Sequence, residues 1–207
     1  MGGVRQFDES RVLDGAMKVF WQSGYSGTSY PDLMQATGLN KSSLYNAFGD
    51  KQALYLRCLE RFTEVHGERL RRRLDAPRLA SAVGGFFDEL IGRFRRPDLP
   101  GGCMMTAAAL ELGGDHDTAG TCIRDQMRDL ESLLRRRLQR AVRDGELPAN
   151  TDTLSLASFL LAMTRGLAAL HRGYGDVKAV TRARRTMMRI LQSPPLKARS
   201  KKGQPSS

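Results

Sequence analysis

The run Gly24-Tyr-Ser-Gly-Thr-Ser-Tyr-Pro-Asp-Leu-Met-Gln-Ala-Thr-Gly-Leu-Asn-Lys-Ser-Ser-Leu-Tyr-Asn-Ala-Phe-Gly-Asp-Lys-Gln-Ala-Leu-Tyr-Leu56 divides at its capping residues. Ser29 has a hydroxyl able to cap free N–H groups, Pro31 is tolerated in a first turn, and Asp32 suits the positive end of a helix dipole. A helix is therefore predicted to start at Ser29, with Leu33, Met34 and Ala36 inward. Gly38, free to take positive φ, stops it and turns the chain, and Leu39 plugs the angle. Asn40 then caps a second helix, Lys41 to Phe48, with Leu44, Ala47 and Phe48 facing in. Lys41, Ser42, Ser43, Tyr45 and Asn46 face out. A third helix follows at once. Two short helices joined by a tight turn form a helix-turn-helix, and the outward residues are hydrogen-bonding types short enough to work at groove distance.

In that arrangement the second helix sends its N-terminal side chains to base edges, while hydroxyls, Lys and helix N-termini hold phosphates. Lys41, Ser42, Ser43 and Asn46 are the expected major-groove residues, with Tyr45 and Lys51 on the DNA backbone. Thr28, Ser29 and Tyr30, at the start of the preceding helix, are expected on flanking phosphates.

The combination Gly24-Tyr25, Gly27-Thr28-Ser29, Asp32-Leu33, Thr37-Gly38, Leu44-Tyr45, Phe48-Gly49 and Lys51 resembles the N-terminal domain of the TetR/AcrR family of transcriptional regulators, over about the first 60 residues. The resemblance implies an all-α fold: an N-terminal three-helix helix-turn-helix DNA-binding domain plus a larger C-terminal helical effector-binding and dimerisation domain. It implies a homodimer on a double-stranded, palindromic DNA operator, and, together with the apolar and cysteine candidates below, the expected action is that of a repressor released by a small apolar effector or by thiol modification. Pro100-Gly-Gly-Cys-Met-Met105 followed by Ala107-Ala-Ala-Leu-Glu-Leu112 is similar to one subgroup of that family.

Length and composition agree. The 207 residues suffice for a small head and one regulatory domain, divided here as 1–52, 53–192 and a basic tail, 193–207, whose Pro, Ser and Lys content predicts disorder. No uninterrupted apolar run is long enough for a membrane span, and the N-terminus has no signal-peptide core, so a cytoplasmic protein without a membrane partner is expected. Three cysteines without paired spacing point to reduced thiols. The net charge of +11 sits at the wrong end for a simple nucleic-acid footprint: residues 1–62 hold seven Lys or Arg against six Asp or Glu, whereas residues 153–207 hold eleven against the single Asp176. The basic tail either adds sequence-blind attraction to DNA or merely solubilises the chain.

The C-terminal part reads as helices: 80–94, 101–112, a long helix through Ile123, Met127, Leu130, Leu134, Leu138 and Ala141 that Gly145 closes, then 153–171 and 178–191. Glu131 and Arg135 are expected to pair on the long helix's outer face. Residues 153–171 are apolar nearly all round and need partners on two sides; by the resemblance, the last two helices form the dimer interface. Phe86, Phe87, Leu90, Ile91, Phe94, Met104, Met105, Leu130, Leu134, Phe159 and Met163 are candidates to line an effector cavity, with Arg165 or His171 for a polar end. Cys103 follows Pro100-Gly-Gly at a helix start, where the dipole favours a thiolate. It is read as a sensor of oxidants or electrophiles, as in some relatives with Gly-Cys at this place, or as a small core residue. Cys58 falls on the stripe Leu54, Cys58, Phe62 and is expected in the core, and Cys122 is a possible resolving thiol.

A thiol enzyme is disfavoured, because no motif links His66, His116 or His171 to Cys103. The other competing class, a basic architectural protein that coats DNA, conflicts with the nearly neutral head. Asp115, His116 and Asp117 lie adjacent in a Gly-rich loop without metal-ligand spacing, so neither a metal nor a cofactor is expected.

Overall fold

The computed structural model describes residues 7–114 and 117–192, and among them the elements are helices only: α1 Glu9–Ser23, α2 Tyr30–Thr37, α3 Lys41–Phe48, α4 Lys51–Leu74, α5 Leu79–Phe94, α6 Met104–Glu111, α7 Thr118–Arg143, α8 Thr153–Tyr174 and α9 Lys178–Gln192. The expected disordered tail and the Asp115–His116 pair lie outside the described residues. The polar punctuation acts as caps. Asp8 accepts from Ser10 N and Arg11 N, Ser29 and Asp32 form a reciprocal capping box, Asn40 accepts from Ser43 N, and Asp50 from Ala53 N. Gly38 takes φ +72° and ends α2.

Two apolar clusters meet along α4. The first joins Val12, Leu13, Ala16, Met17, Phe20 and Trp21 of α1 to Leu33, Leu44, Phe48, Leu54, Tyr55, Cys58 and Phe62, and it takes in Met104, Met105 and Ala108 of α6. The second holds Leu70 and Leu74 with the inner faces of α5, α7, α8 and α9. The head's core thus continues past residue 52 to Phe62, and α4 is one rod serving both clusters. Each large side chain so buried contributes roughly 1.5–3 kcal/mol, so α4 is held firmly at both ends.

Three local expectations are corrected. Met34 and Ala36 are exposed, leaving Leu33 as the buried residue of α2. The reason is Gly15: a Cβ there would stand 2.7 Å from the carbonyl oxygen of Ala36, so α1 meets the backbone of α2 rather than its methyl groups. The helix expected over 101–112 starts only at Met104, because Gly101 and Gly102 form a loop docked on α8. Glu131 accepts from Ser158 Oγ of α8 instead of pairing with Arg135.

By length and composition α8 suffices to cross a membrane, although Thr164 and Arg165 interrupt its apolar run. Ala157, Leu160, Thr164, Leu167, Ala168 and His171 are buried against the rest of the chain. Leu154, Phe159, Ala162, Gly166 and Ala169 form an exposed apolar stripe on its outer side.

Candidate nucleic-acid interface and regulatory cavity

On the head, α3 exposes Lys41, Ser42, Tyr45 and Asn46, while Ser43 is half-buried. Leu44 and Phe48 anchor the opposite face, which fixes the rotation of the helix. The Lys41 ammonium lies 4.8 Å from the centroid of the Tyr30 ring. This places the N-terminus of α2 beside that of α3, one continuous surface of hydroxyl, amide and ammonium groups. Ser29 is exposed, with its hydroxyl donating to Asp32 at 2.6 Å.

Two expected contact residues turn inward. Thr28 is buried, and its hydroxyl donates to the Gly24 carbonyl at 2.7 Å, so its side chain is not presented to phosphate. Lys51 donates to the carbonyls of Tyr25 and Thr28, both at 3.0 Å, and its ammonium lies 4.4 Å from the Tyr25 ring centroid. It therefore clamps the α1–α2 turn that carries the start of α2.

Behind the head, a cavity of about 340 Å³ opens among α4, α5, α7, α8 and the loop before α6. Phe62, Leu70, Phe86, Leu90, Met105, Leu130 and Leu133 supply apolar wall; Thr63, His66, Arg93, Cys103, Gln126 and Arg165 supply polar groups. Of the expected lining residues, Phe86, Leu90, Leu130, Cys103, Met105 and Arg165 are here, whereas Met104 is buried in the first core cluster and Phe94 in the second. Phe87, Ile91 and Leu134 are instead buried in the second core cluster, with Met163 packed against it, and Phe159 lies on the outer side of α8. His171 is also elsewhere: it stacks on Phe94 with centroids 4.5 Å apart and accepts from Gly102 N at 3.1 Å. That bond, with Gly102 at φ +74° against the backbone of α8, sets the loop that delivers Cys103 to the cavity.

Cys103 occupies the N-cap position of α6, half-buried, and Arg165 Nη1 approaches its sulfur at 3.7 Å. Burial opposes ionisation of the thiol, but the guanidinium groups of Arg165 and Arg93 outweigh it and hold the pKa below the ordinary cysteine value. Cys58 is the opposite case: buried in the head's core, its thiol is pushed up by desolvation. Cys122 lines a separate cleft and accepts from Gln126 at 3.5 Å. His66 is buried, and desolvation followed by the charge of Arg93 pushes its pKa down to about 4, so the ring is neutral at pH 7.

The cavity and the head share a frame. His66 packs edge-on against Trp21 of α1, with centroids 5.5 Å apart at 71°. α6 runs from its N-cap Cys103 to Glu111, roughly 12 Å away at 1.5 Å per residue. There the Glu111 carboxylate accepts from Tyr25 N at 2.8 Å and Ser26 N at 3.4 Å. Gly24, at φ +77°, makes room for it: a Cβ there would lie 2.7 Å from Glu111 Oε1. Gln52 donates to Asp117 at 2.6 Å, and Arg172 donates to the Gln22 carbonyl.

A helix-turn-helix head joined through α4 and α6 to a helical domain with its own cavity defines a DNA-binding transcriptional regulator. The family model "Bacterial regulatory proteins, tetR family" matches residues 12–58, and "Tetracyclin repressor-like, C-terminal domain" matches residues 76–187. The chain belongs to the TetR family. It is 28% identical over 191 residues to the HTH-type transcriptional repressor ComR of Escherichia coli (strain K12), covering 91% of both chains. It is 32% identical over 162 residues to the HTH-type transcriptional regulator YezE of Bacillus subtilis (strain 168), covering 77% of this chain and 84% of that one. Among solved structures it is similar to a cysteine mutant of the TetR family transcriptional regulator CifR complexed with 26-bp double-strand operator DNA, at a TM-score of 0.83 and 30% identity over 90% of this chain and 98% of that one.

Proposed function

We propose that the protein is a cytoplasmic homodimeric repressor: two heads occupy the half-sites of a palindromic operator, and an event in the cavity, either binding of a small molecule or modification of Cys103, releases the DNA. The observation that carries this reading is the path from Cys103 along α6 to Glu111, whose carboxylate holds the α1–α2 turn. A shift of α6 at the cavity end moves the turn that carries the reading helices. Half-sites one helical turn apart tolerate little change in head separation, so a small rotation costs affinity.

Lys41, Ser42, Ser43 and Asn46 take the base edges, with Ser29, Tyr30 and Tyr45 on phosphates. The second copy packs on the exposed stripe of α8 and on α9; the small side chains of Ala162, Gly166 and Ala169 let a partner backbone come close.

The test follows fluorescence anisotropy of the protein on its operator while methyl methanethiosulfonate is added. Release from the wild type but not from Cys103→Ser supports control through this site. Equal release from both proteins would remove Cys103 from the mechanism.

A further inference from the structure

The cavity's polar wall carries more positive charge than the subunit neutralises. Arg93 is nine-tenths buried, its Nε has no hydrogen-bond partner, and its side chain makes no ion pair among the described residues. Its guanidinium stands 5.7 Å from the Phe62 ring centroid, a contact that leaves its N–H groups unused. Arg165 also has an unpartnered buried Nε and, among the described residues, meets only the Cys103 sulfur through Nη1. The buried Nε2 of His66 is unpartnered as well. Arg137 also has an unpartnered buried Nε and Nη1, but its charge is answered within the chain: its Nη2 reaches the carbonyls of Ala76 and Pro77 and the carboxylate of Glu146, and it is this ion pair that Arg93 and Arg165 lack among the described residues.

A buried guanidinium cannot shed its proton, so its charge requires an anion. Glu89 favours the Arg93 charge only from beyond ion-pair distance and is bonded to Arg73, and even a Cys103 thiolate would answer only one of the two. At the rim, Arg71 and Arg136 face the single carboxylate Asp129 among the lining residues, so the whole lining remains cationic. The remaining wall, from Phe62 to Leu133, is aromatic and aliphatic.

We propose that the ligand of this cavity is an amphipathic organic monocarboxylate, whose carboxylate bridges Arg93 and Arg165 beside Cys103 while its apolar body lies against Phe62, Leu70, Phe86, Leu90 and Leu130. Neutral His66 donates a further hydrogen bond from Nε2. A volume of about 340 Å³ lies at the small end of the roughly 300–1,000 Å³ typical of ligand sites, which limits the body to about one ring or a medium alkyl chain. This inference rests on the cavity being the regulatory site. It narrows the effector from any apolar molecule to an apolar acid.

The test is isothermal titration calorimetry of the reduced full-length protein with three ligands that share one body: 4-phenylbutyrate, 4-phenylbutan-1-ol and 4-phenylbutylamine. The acid is expected to bind at least tenfold tighter than the alcohol, with the amine weakest. Cys103→Ser keeps that order, which separates a carboxylate site from an oxidised-thiol site. Arg93→Met and Arg165→Met bring the acid down to the alcohol, while retained alcohol binding reports an intact cavity. If Arg93→Met does not fold, Arg165→Met and the charge-keeping Arg165→Lys decide. Alcohol binding as tight as the acid, an acid preference that survives both arginine variants, or no binding of any of the three would overturn the proposal. Operator binding by the same preparations separates the two readings: intact DNA binding without acid preference removes the ligand alone, and acid preference without DNA binding leaves the anion site while removing the repressor.

Discussion

Replacing Lys51 with Met separates a structural clamp from a DNA contact. Two N–H···O=C bonds at 3.0 Å join its ammonium to Tyr25 and Thr28, and the same ammonium sits over the Tyr25 ring. Hydrogen bonds to charged groups contribute roughly 1.5–3 kcal/mol when well buried and less where water competes, and an exposed cation–π contact adds about 0.5–1 kcal/mol. Lys51 is half-buried, so Lys51→Met is expected to cost about 2–3 kcal/mol. For a chain of this length that lowers Tm by about 4–12 °C. Thermal and urea unfolding followed by circular dichroism measure the loss, and the salt dependence of operator binding measures the alternative. A phosphate-bound Lys51 would leave stability unchanged and reduce the slope of log K against log salt by about 0.9. That pair of results would refute the clamp.

Other consequences follow from the same geometry. The His66 imidazole accepts a proton near 6.5 in the unfolded chain but only near 4 in the folded one, so its contribution is complete above pH 6.5, is lost as pH falls between those values, and is constant below. The wild type should therefore lose about 3 kcal/mol more than His66→Gln across that interval, and parallel stability profiles would contradict the assignment. Gly166→Glu meets open space within the subunit and should leave its helix content intact, yet yield monomers in sedimentation velocity; a stable dimer would move the interface off α8. Tyr45→Ala should weaken binding about fivefold on every duplex, whereas Ser43→Ala should relax preference at one base pair, and an unchanged preference profile for the latter would remove Ser43 from the groove.

The helix-turn-helix was legible because its signals are local: Ser29, Gly38 and Asn40 each act within a few residues of themselves. Thr28 was not, since it lies in a turn between helices, where no periodicity tells inside from outside. The cavity failed for a related reason. Periodicity marks Phe86, Phe87, Leu90 and Ile91 all as apolar, but only the packing of five elements decides that Phe86 and Leu90 border the void while Phe87 and Ile91 fill the core. Arg93 and His66 were missed, although a signal was present. Arg93 continues the stripe Phe86, Leu90 at spacings of four and three, and His66 continues Leu54, Cys58, Phe62 at spacings of four, so an ionisable residue stands on a buried face in each case. The contact of Glu111 with Tyr25 and Ser26 spans most of the distance between two domains in sequence, and no local pattern announces it.

The central claim is that the head reads sequence and that the charged remainder of the chain does not dominate binding. Fluorescence anisotropy of the reduced protein at fixed salt, on the intergenic DNA beside its own coding sequence and on a scrambled duplex of equal length, tests this directly. The account predicts binding to the native fragment at least about 10³-fold tighter than to the scrambled one. Equal affinity for both duplexes would contradict it and favour a protein that coats DNA through its basic C-terminal quarter.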